Sequence, residues 1–172
     1  MKRLQVFAVL LFTVLSINHS VAQDRPMHEV HSMMVYNFMK YINWPSNSSQ
    51  GDFVIGIMGD DDVYSNLHSW YEGKPKGSQT IVIKKINSTI EAEKCHVIYV
   101  AKDMSNSFTE LQSKLDGKST LVITDKTGLG QKGSGINFKT VGGKLKFEMN
   151  ESALAKANLK VSSQLTAMAI LI

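Results

Sequence analysis

GSGINFKTVGGKLKFEMNESALAKANLKVSSQL, residues 133 to 165, packs two short strands, a tight turn and two capped helices into one run, and its reading decides the fold. Ile136, Phe138, Leu145 and Phe147 alternate with polar residues, and Gly142-Gly143 stands between the two alternating runs. Alternation puts the apolar side chains on one face of a strand, and a Gly-Gly pair supplies the positive φ angles of a tight hairpin turn. The pattern predicts paired strands over Ile136–Thr140 and Lys144–Glu148. Asn150 is placed to cap the helix that follows, with Glu151 in the first turn, where the helix dipole favours an acid. Asn158 suits a left-handed exit from that helix.

Toward the C-terminus, Leu165, Met168, Ala169 and Ile172 fall at helical spacing and predict a last helix packed on the sheet, with Ser162 or Ser163 as its cap. Upstream, strand and helix signals alternate. The apolar run Phe53–Met58 predicts a strand buried on both faces, followed by Gly59 and a helix from Asp60 toward Tyr71. Gly73–Ser78, with Pro75 and two glycines, is a turn, and β-branched Thr80–Ile86 is a strand. His96–Ala101 and Ser119–Thr124 are further strands on either side of a helix over Asn106–Leu115. Val30, Met34, Phe38, Tyr41 and Ile42 predict an amphipathic first helix over Met27–Ile42, ended by Pro45, with Trp44 just past its end. Alternating strands and helices imply an α/β fold: a single three-layer domain whose mixed, mostly parallel sheet carries helices on both faces and a C-terminal β-hairpin plus helix.

The first residues read as an address. Lys2 and Arg3, the apolar run Leu4–Ile17 and the small residues Ser20 and Ala22 form a secretory signal with cleavage expected after about Ala22, which leaves residues 23–172 as the domain. No second apolar span follows, so the expectation is a soluble protein of the periplasm without membrane insertion. Loss of Lys2 and Arg3 takes two charges from the +4 of the full chain and leaves +2. That balance argues against nucleic acid as a partner, which calls for a concentrated basic stripe with stacking aromatics. The one cysteine, Cys95, has no intramolecular partner and precedes an apolar strand, where a buried, inert thiol is expected.

Chemistry-bearing motifs resolve into structural ones. Gly128-Leu-Gly130-Gln-Lys-Gly133 has the spacing of a dinucleotide fingerprint, but that fingerprint opens a helix onto the pyrophosphate, and here the chain runs into the strand at Ile136. A glycine-rich crossover loop explains it. At Gly56-Ile-Met-Gly59-Asp60, the acids Asp60, Asp61 and Asp62 would repel a phosphate and instead suit a helix start. His28-Glu29-Val30-His31 is one residue short of a zinc-protease helix and reads as a solvated helix start. Cys95 and His96 are neighbours in an extended segment, so their side chains point apart and cannot form a nucleophile–base pair. With no catalytic residues, metal ligands or cofactor loop identified, the expectation is a protein that is not an enzyme and needs no cofactor.

Two motifs at opposite ends of the chain, in order, carry a resemblance. Gly133-Ser-Gly135-Ile-Asn-Phe138, Lys146-Phe-Glu-Met-Asn150 and Ser162-Ser-Gln-Leu165 resemble the GGxINF turn, RFEIN strand and SSQLL helix of the YfiR family of exported bacterial proteins. Tyr36-Asn-Phe-Met-Lys-Tyr-Ile-Asn-Trp-Pro45 resembles that family's N-terminal motif, and the similarity runs from about Met34 to Leu171. The resemblance implies a periplasmic, non-enzymatic regulator that restrains an inner-membrane diguanylate cyclase through its sensor region, and so limits cyclic-di-GMP-driven attachment and biofilm formation. The implied partner is a membrane-bound sensor protein contacted outside the cytoplasm, and a homodimer is allowed. Family members that carry disulfides differ from this chain, which has a single cysteine.

The polar residues set among apolar ones in these motifs are Tyr36, Asn37, Lys40 and Trp44 at one end, and Glu148, Asn150, Ser163 and Gln164 at the other. They either cap helices and tie the C-terminal helix to the sheet, or line a partner or ligand surface. Trp44 favours the second reading, because Trp joins a large apolar face to a donor. Lys40 and Glu148 are candidates to pair with each other. The alternative function is a periplasmic small-molecule binding protein, with its pocket at the carboxyl ends of the sheet strands.

Overall fold

The structure, a computed structural model, describes residues 25–172; the expected signal segment Met1–Ala22 lies outside them. In chain order the elements are α1 (Met27–Tyr41), β1 (Ile42–Asn43), β2 (Phe53–Met58), α2 (Asp61–Tyr71), β3 (Pro75–Lys76), β4 (Gln79–Lys85), β5 (Val97–Val100), α3 (Phe108–Lys114), β6 (Leu121–Thr124), β7 (Ile136–Val141), β8 (Lys144–Met149), α4 (Glu151–Lys156), β9 (Lys160–Val161), α5 (Ser163–Met168) and β10 (Ile170–Leu171). The main sheet has the order β10-β8-β7-β6-β5-β2-β4-β3, and β1 pairs with β9 in a separate two-stranded ribbon. Strands β4, β2, β5, β6 and β7 are mutually parallel, whereas β8 runs antiparallel to β7 and β3 antiparallel to β4. From β2 the chain moves outward to β4 and then returns to the other side as β5, which sets a topological switch between β2 and β5.

Strand alternation divides the core in two. Phe53, Ile55, Ile57, Val97, Tyr99, Leu121, Ile123, Ile136, Phe138 and Phe147 face α1 and α2, packing on Val35, Phe38, Met39, Val63 and Leu67. Met58, Ile98, Val100 and Val122 face the other way, onto Phe108 and Leu111 of α3 and onto Cys95. Helices therefore lie on both faces of a mostly parallel sheet, as the alternation of strand and helix signals implies. Phe38 sits edge-on to Phe147 at 5.0 Å and against Phe138 at 5.9 Å, pinning α1 to the C-terminal hairpin.

The hairpin forms in the expected register, with Phe138 opposite Phe147 and Thr140 opposite Leu145. Gly142 and Gly143, at φ 57° and 74°, take the left-handed angles a two-residue turn demands. Asn150 accepts from the Ala153 amide at 2.9 Å, Ser162 caps α5 through the Leu165 amide, and Asn158 leaves α4 region at φ 56°. The glycine-rich loop behaves differently at its middle glycine. Gly130 is required by close approach: a Cβ there would lie 2.8 Å from both Glu148 Oε2 and Ile172 Cδ1.

Two expectations need correction. The spacing of Leu165, Met168, Ala169 and Ile172 implies a continuous last helix, but α5 ends at Met168 and Ala169 is extended. The residues beyond it pair in parallel with β8, Ile170 beside Glu148 and Leu171 beside Met149, and the Ile172 amide donates to the Met149 carbonyl at 3.1 Å. Pairing the open edge of β8 satisfies backbone groups that a longer helix would leave bare. Likewise α1 stops at Tyr41, one residue early, because Ile42 turns extended to pair with Val161.

Candidate functional site

Two places in the fold gather polar chemistry beside a concavity, one at each end of the parallel strands. At the amino end lies the termination of α1. Tyr36 stacks on Tyr71 at 3.8 Å with their rings 6° apart, and the Lys40 ammonium stands 4.6 Å above the Tyr36 ring. Lys74 stands 5.4 Å from the Tyr71 ring, and Lys76 stands 4.9 Å from the Trp44 ring and 4.6 Å from that of Phe53. A cavity of ≈ 330 Å³ lies between these elements, lined by Tyr36, Met39, Lys40, Asn43, Pro75, Lys76 and Ile81. Burial pushes the Lys76 ammonium below its ordinary pKa. Trp44 is half-buried, edge-on to Phe53 at 4.9 Å, and its indole N–H donates to the His96 carbonyl at 3.2 Å.

The carboxyl end is built around α1's first turns. His31, 8% exposed, lies flat on Phe138 at 4.3 Å, and its Nδ1 is 3.0 Å from the Tyr99 hydroxyl. Tyr99 donates to Asp125 Oδ2 at 2.9 Å, at the residue following β6. That donation uses the only phenolic proton, so the Tyr99 oxygen must accept from His31, which places the imidazole proton on Nδ1. Burial drives the His31 pKa down to about 4, with Asp60 opposing and His28 assisting. Burial raises the Tyr99 pKa, and the Asp125 charge raises it further. Burial also raises the Asp125 carboxyl, and nearby Asp60 adds to the rise, against the lowering effect of hydrogen bonds from Tyr99 and from the Lys102 and Asp125 backbone. Asp125 Oδ1 is buried without a hydrogen-bond partner among the described residues. A cavity of ≈ 290 Å³ opens here, lined by Met27, His31, Asp125, Thr127, Phe138, Thr140 and Leu145 with Lys139.

Glu148 belongs to a third group, on the opposite sheet face. Its Oε2 accepts from Asn137 Nδ2 at 2.9 Å and its Oε1 from the Lys139 ammonium at 2.6 Å. Asn137 Oδ1 lies 2.7 Å from the Thr124 hydroxyl, which is 3.0 Å from that of Ser134. Burial works to raise the Glu148 pKa, but the Lys139 and Asn137 hydrogen bonds and the Lys139 charge outweigh it and hold the carboxyl below its ordinary value.

The motif residues are thus only partly brought together. Tyr36 and Lys40 touch, Trp44 joins them through Lys76, and Asn37 is exposed on α1. Ser163 and Gln164 are exposed at the start of α5, next to the true cap Ser162. Lys40 and Glu148 do not pair: Glu148 faces away from α1 and is taken by Lys139. His31 is a correction too, being buried in the core while His28 stays half-exposed, 3.8 Å from Asp62. Cys95 is buried and free, and burial pushes its thiol up to about 11, so it stays protonated at neutral pH. Tyr71, Lys76, Tyr99 and Asp125 escape a reading by motif. Asp125 had one signal, its position just beyond the carboxyl end of a parallel strand, where open α/β sheets hold ligands. Among the described residues no three His, Cys, Asp or Glu converge to hold a metal ion. No helix among them is long and apolar enough to cross a membrane.

The family profile described as YfiR/HmsC-like matches residues 28–170, and the chain belongs to that family. Membership supports a regulatory, periplasmic kind of function rather than a catalytic one. No curated protein matches the chain. Among solved structures it is similar to a conserved domain protein from Vibrio cholerae O1 biovar El Tor str. N16961, with a TM-score of 0.52 and 12% identity, over 84% of this chain. The chain spans 59% of that protein's length, and at this identity the likeness concerns the fold alone.

Proposed function

We propose that this YfiR/HmsC-like chain is a periplasmic, non-enzymatic regulator that binds the sensor region of an inner-membrane diguanylate cyclase and restrains it, limiting cyclic-di-GMP and biofilm formation. The observation that carries the reading is the amino-end surface, where Lys40, Lys74 and Lys76 stand over the half-buried rings of Tyr36, Tyr71 and Trp44 beside an open groove. Rigid aromatics lose little entropy on contact, and Trp and Tyr are the residues that most often anchor interfaces. Lysines held over rings, Lys76 among them partly stripped of water, complement a segment carrying carboxylates. Asn37 extends the surface along α1.

The test is capture. Immobilised residues 23–172 are expected to retain a diguanylate cyclase with a periplasmic sensor segment from a detergent extract, and deletion of the gene to raise cyclic-di-GMP. The Lys40→Glu, Lys76→Glu double variant is expected to lose at least roughly tenfold in affinity, about 1.4 kcal/mol, while unfolding within about 1 kcal/mol of the parent. Recovery of no such partner, with cyclic-di-GMP unchanged on deletion, counts against the proposal.

A further inference from the structure

The turn that follows Trp44 is fastened to the sheet through an imidazole, a group that can take up a proton. We propose that His96 is a proton-operated clasp on the amino-end surface: neutral, it joins the Ser46–Ser48 turn to the start of β2, and on protonation it leaves Val54 and Phe53, so that the turn and Trp44 lose their seat. Its consequence for partner binding rests on the docking surface proposed above, which the clasp regulates.

Hydrogen bonds fix the protonation state of the ring. The Val54 amide lies 3.1 Å from His96 Nδ1, and an amide can only donate, so Nδ1 is bare and the proton sits on Nε2, which donates to the Ser48 carbonyl at 3.0 Å. The backbone of His96 works at the same place: its amide donates to the Val54 carbonyl at 2.8 Å, and its carbonyl accepts from the Trp44 indole at 3.2 Å. One residue therefore holds Trp44, Ser48 and Val54, the two ends and the middle of a segment that is exposed from Ser49 to Asp52. The half-buried imidazole also stacks on Phe53, with centroids 4.6 Å and planes 24° apart. Trp44 meets the same Phe53 ring edge-on, and the Lys76 ammonium stands 4.6 Å from it.

A second proton has no place in this arrangement. It sets an N–H on Nδ1 against the Val54 N–H, leaves that amide without an acceptor, and brings a cation toward Lys76 across Phe53. Burial lowers the His96 pKa and the Lys76 charge adds to the fall, against the raising effect of the Ser48 hydrogen bond. Of the charged groups on neighbouring elements, Asp52 is exposed in the turn, and Asp116 and Lys118, before β6, are paired with Lys156 and Glu93. Strands β2 and β6 carry no titratable side chain. Once swung into water the ring takes its proton more readily, so the clasp is at full strength above the ordinary 6.5 and weakens as pH falls, by up to about tenfold per pH unit. Gln79 Nε2 holds the same turn from β4, at the Ser48 and Gly51 carbonyls, so the turn shifts rather than unravels.

The test is nitrogen-detected and hydrogen-exchange NMR on residues 23–172. At neutral pH the His96 ring is expected to carry its proton on Nε2 alone. As pH falls from about 6.5 to about 5, the Val54 amide is expected to lose protection at least roughly threefold more than the Ile123 amide of β6, and the Trp44 indole and Ser48 amide resonances to move with the midpoint of the His96 ring. His96→Asn keeps an acceptor for Val54 and does not titrate, and is expected to remove the pH dependence. His96→Gln, which reaches Ser48, is the second non-titrating variant, and the titration of the parent protein decides if neither folds. Equal loss of protection at Val54 and Ile123, Trp44 and Ser48 resonances that ignore the His96 midpoint, a proton on Nδ1 at neutral pH, or a pH dependence that survives removal of the imidazole each overturn the proposal. No partner enters the measurement, so a failed clasp leaves the docking surface standing and a failed capture leaves the clasp.

Discussion

Two acids, Glu148 buried within the sheet and Asp125 half-buried just past the end of β6, are handled in opposite ways. Glu148 has both oxygens occupied, by Asn137 and Lys139, and its network runs on through Thr124 and Ser134 to backbone carbonyls. Asp125 has one oxygen tied to Tyr99 and one without a partner. The pKa directions differ: Lys139 and Asn137 hold Glu148 below the ordinary value against its burial, while burial and nearby Asp60 raise Asp125 above it against the hydrogen bonds it accepts. A satisfied network stabilises and specifies the fold, and a half-satisfied one stores a demand that something else can meet. The contrast assigns Glu148, a residue of the YfiR-like motif, to holding the C-terminal strands together, with Gly130 packed against its carboxylate to make room.

The largest expected effect tests that assignment. Asn137→Ala removes the donor to Glu148 Oε2 and opens a cavity; the Thr124 hydroxyl can turn to Ser134, so only the acid is left short of a partner. The expected cost is about 3 kcal/mol, or roughly 6–12 °C in melting temperature for a domain of this size. Asp125→Asn, whose lost charge has no partner among the described residues, is expected to change stability by less than about 1 kcal/mol. Equal losses from the two variants, measured by thermal and urea unfolding, would erase the distinction.

A pH titration sharpens it from the other side. His31 has a folded pKa of about 4, below its ordinary 6.5, so between those values the native state binds fewer protons than the unfolded chain. Its contribution is present in full above pH 6.5 and is lost as pH falls toward 4. Between about pH 7 and pH 5 the loss is about 2 kcal/mol. Raised Asp125 works the other way, since its native state takes up a proton first, and lowered Glu148 adds its loss only below the carboxylate range. His96, also lowered by burial, shares the direction of His31, so the two are separated by variant. His31→Phe keeps the stack on Phe138 and cannot titrate, and is expected to flatten that part of the stability profile. An unchanged acid limb in His31→Phe would show that His31 is not the group responsible.

What the sequence made legible was set by local rules. The hairpin register, the Asn150 and Ser162 caps and the Asn158 exit depend on residues a few positions apart, and period-2 alternation fixed which strand residues meet α1. The edge strand β10 was not legible, because Ile170 and Leu171 take their conformation from the otherwise open β8 edge 22 residues earlier, and their spacing fits a helix equally well. The carboxyl-end cluster hid for the same reason. His31, Tyr99 and Asp125 lie 68 and 26 residues apart, and each has a bland local reading as helix start, core strand or turn. Of the motif residues, Tyr36, Lys40 and Trp44 do meet at one surface, since one helix and its exit carry all three.

Trp44 is where the smallest effect is expected, and where packing and partner contact meet in one side chain. Its indole is half-buried, edge-on to Phe53, with Lys76 above it and its N–H spent on the His96 carbonyl. That carbonyl also accepts from the Leu121 amide at 2.8 Å, so removing the indole leaves no unsatisfied group behind. Trp44→Phe keeps an aromatic edge on Phe53 and a ring beneath Lys76, and loses one shared hydrogen bond. The expected cost is about 0.5–1 kcal/mol, well below the roughly 3–5 kcal/mol of a large aromatic deleted from a core. If the exposed part of the ring anchors the partner, capture weakens beyond this stability loss, because the smaller ring no longer fills the partner's side of the contact. A variant that melts several degrees early and still captures its partner at parental strength would assign Trp44 to packing alone, and would move the anchor of the proposed interface to the Tyr36–Tyr71 stack.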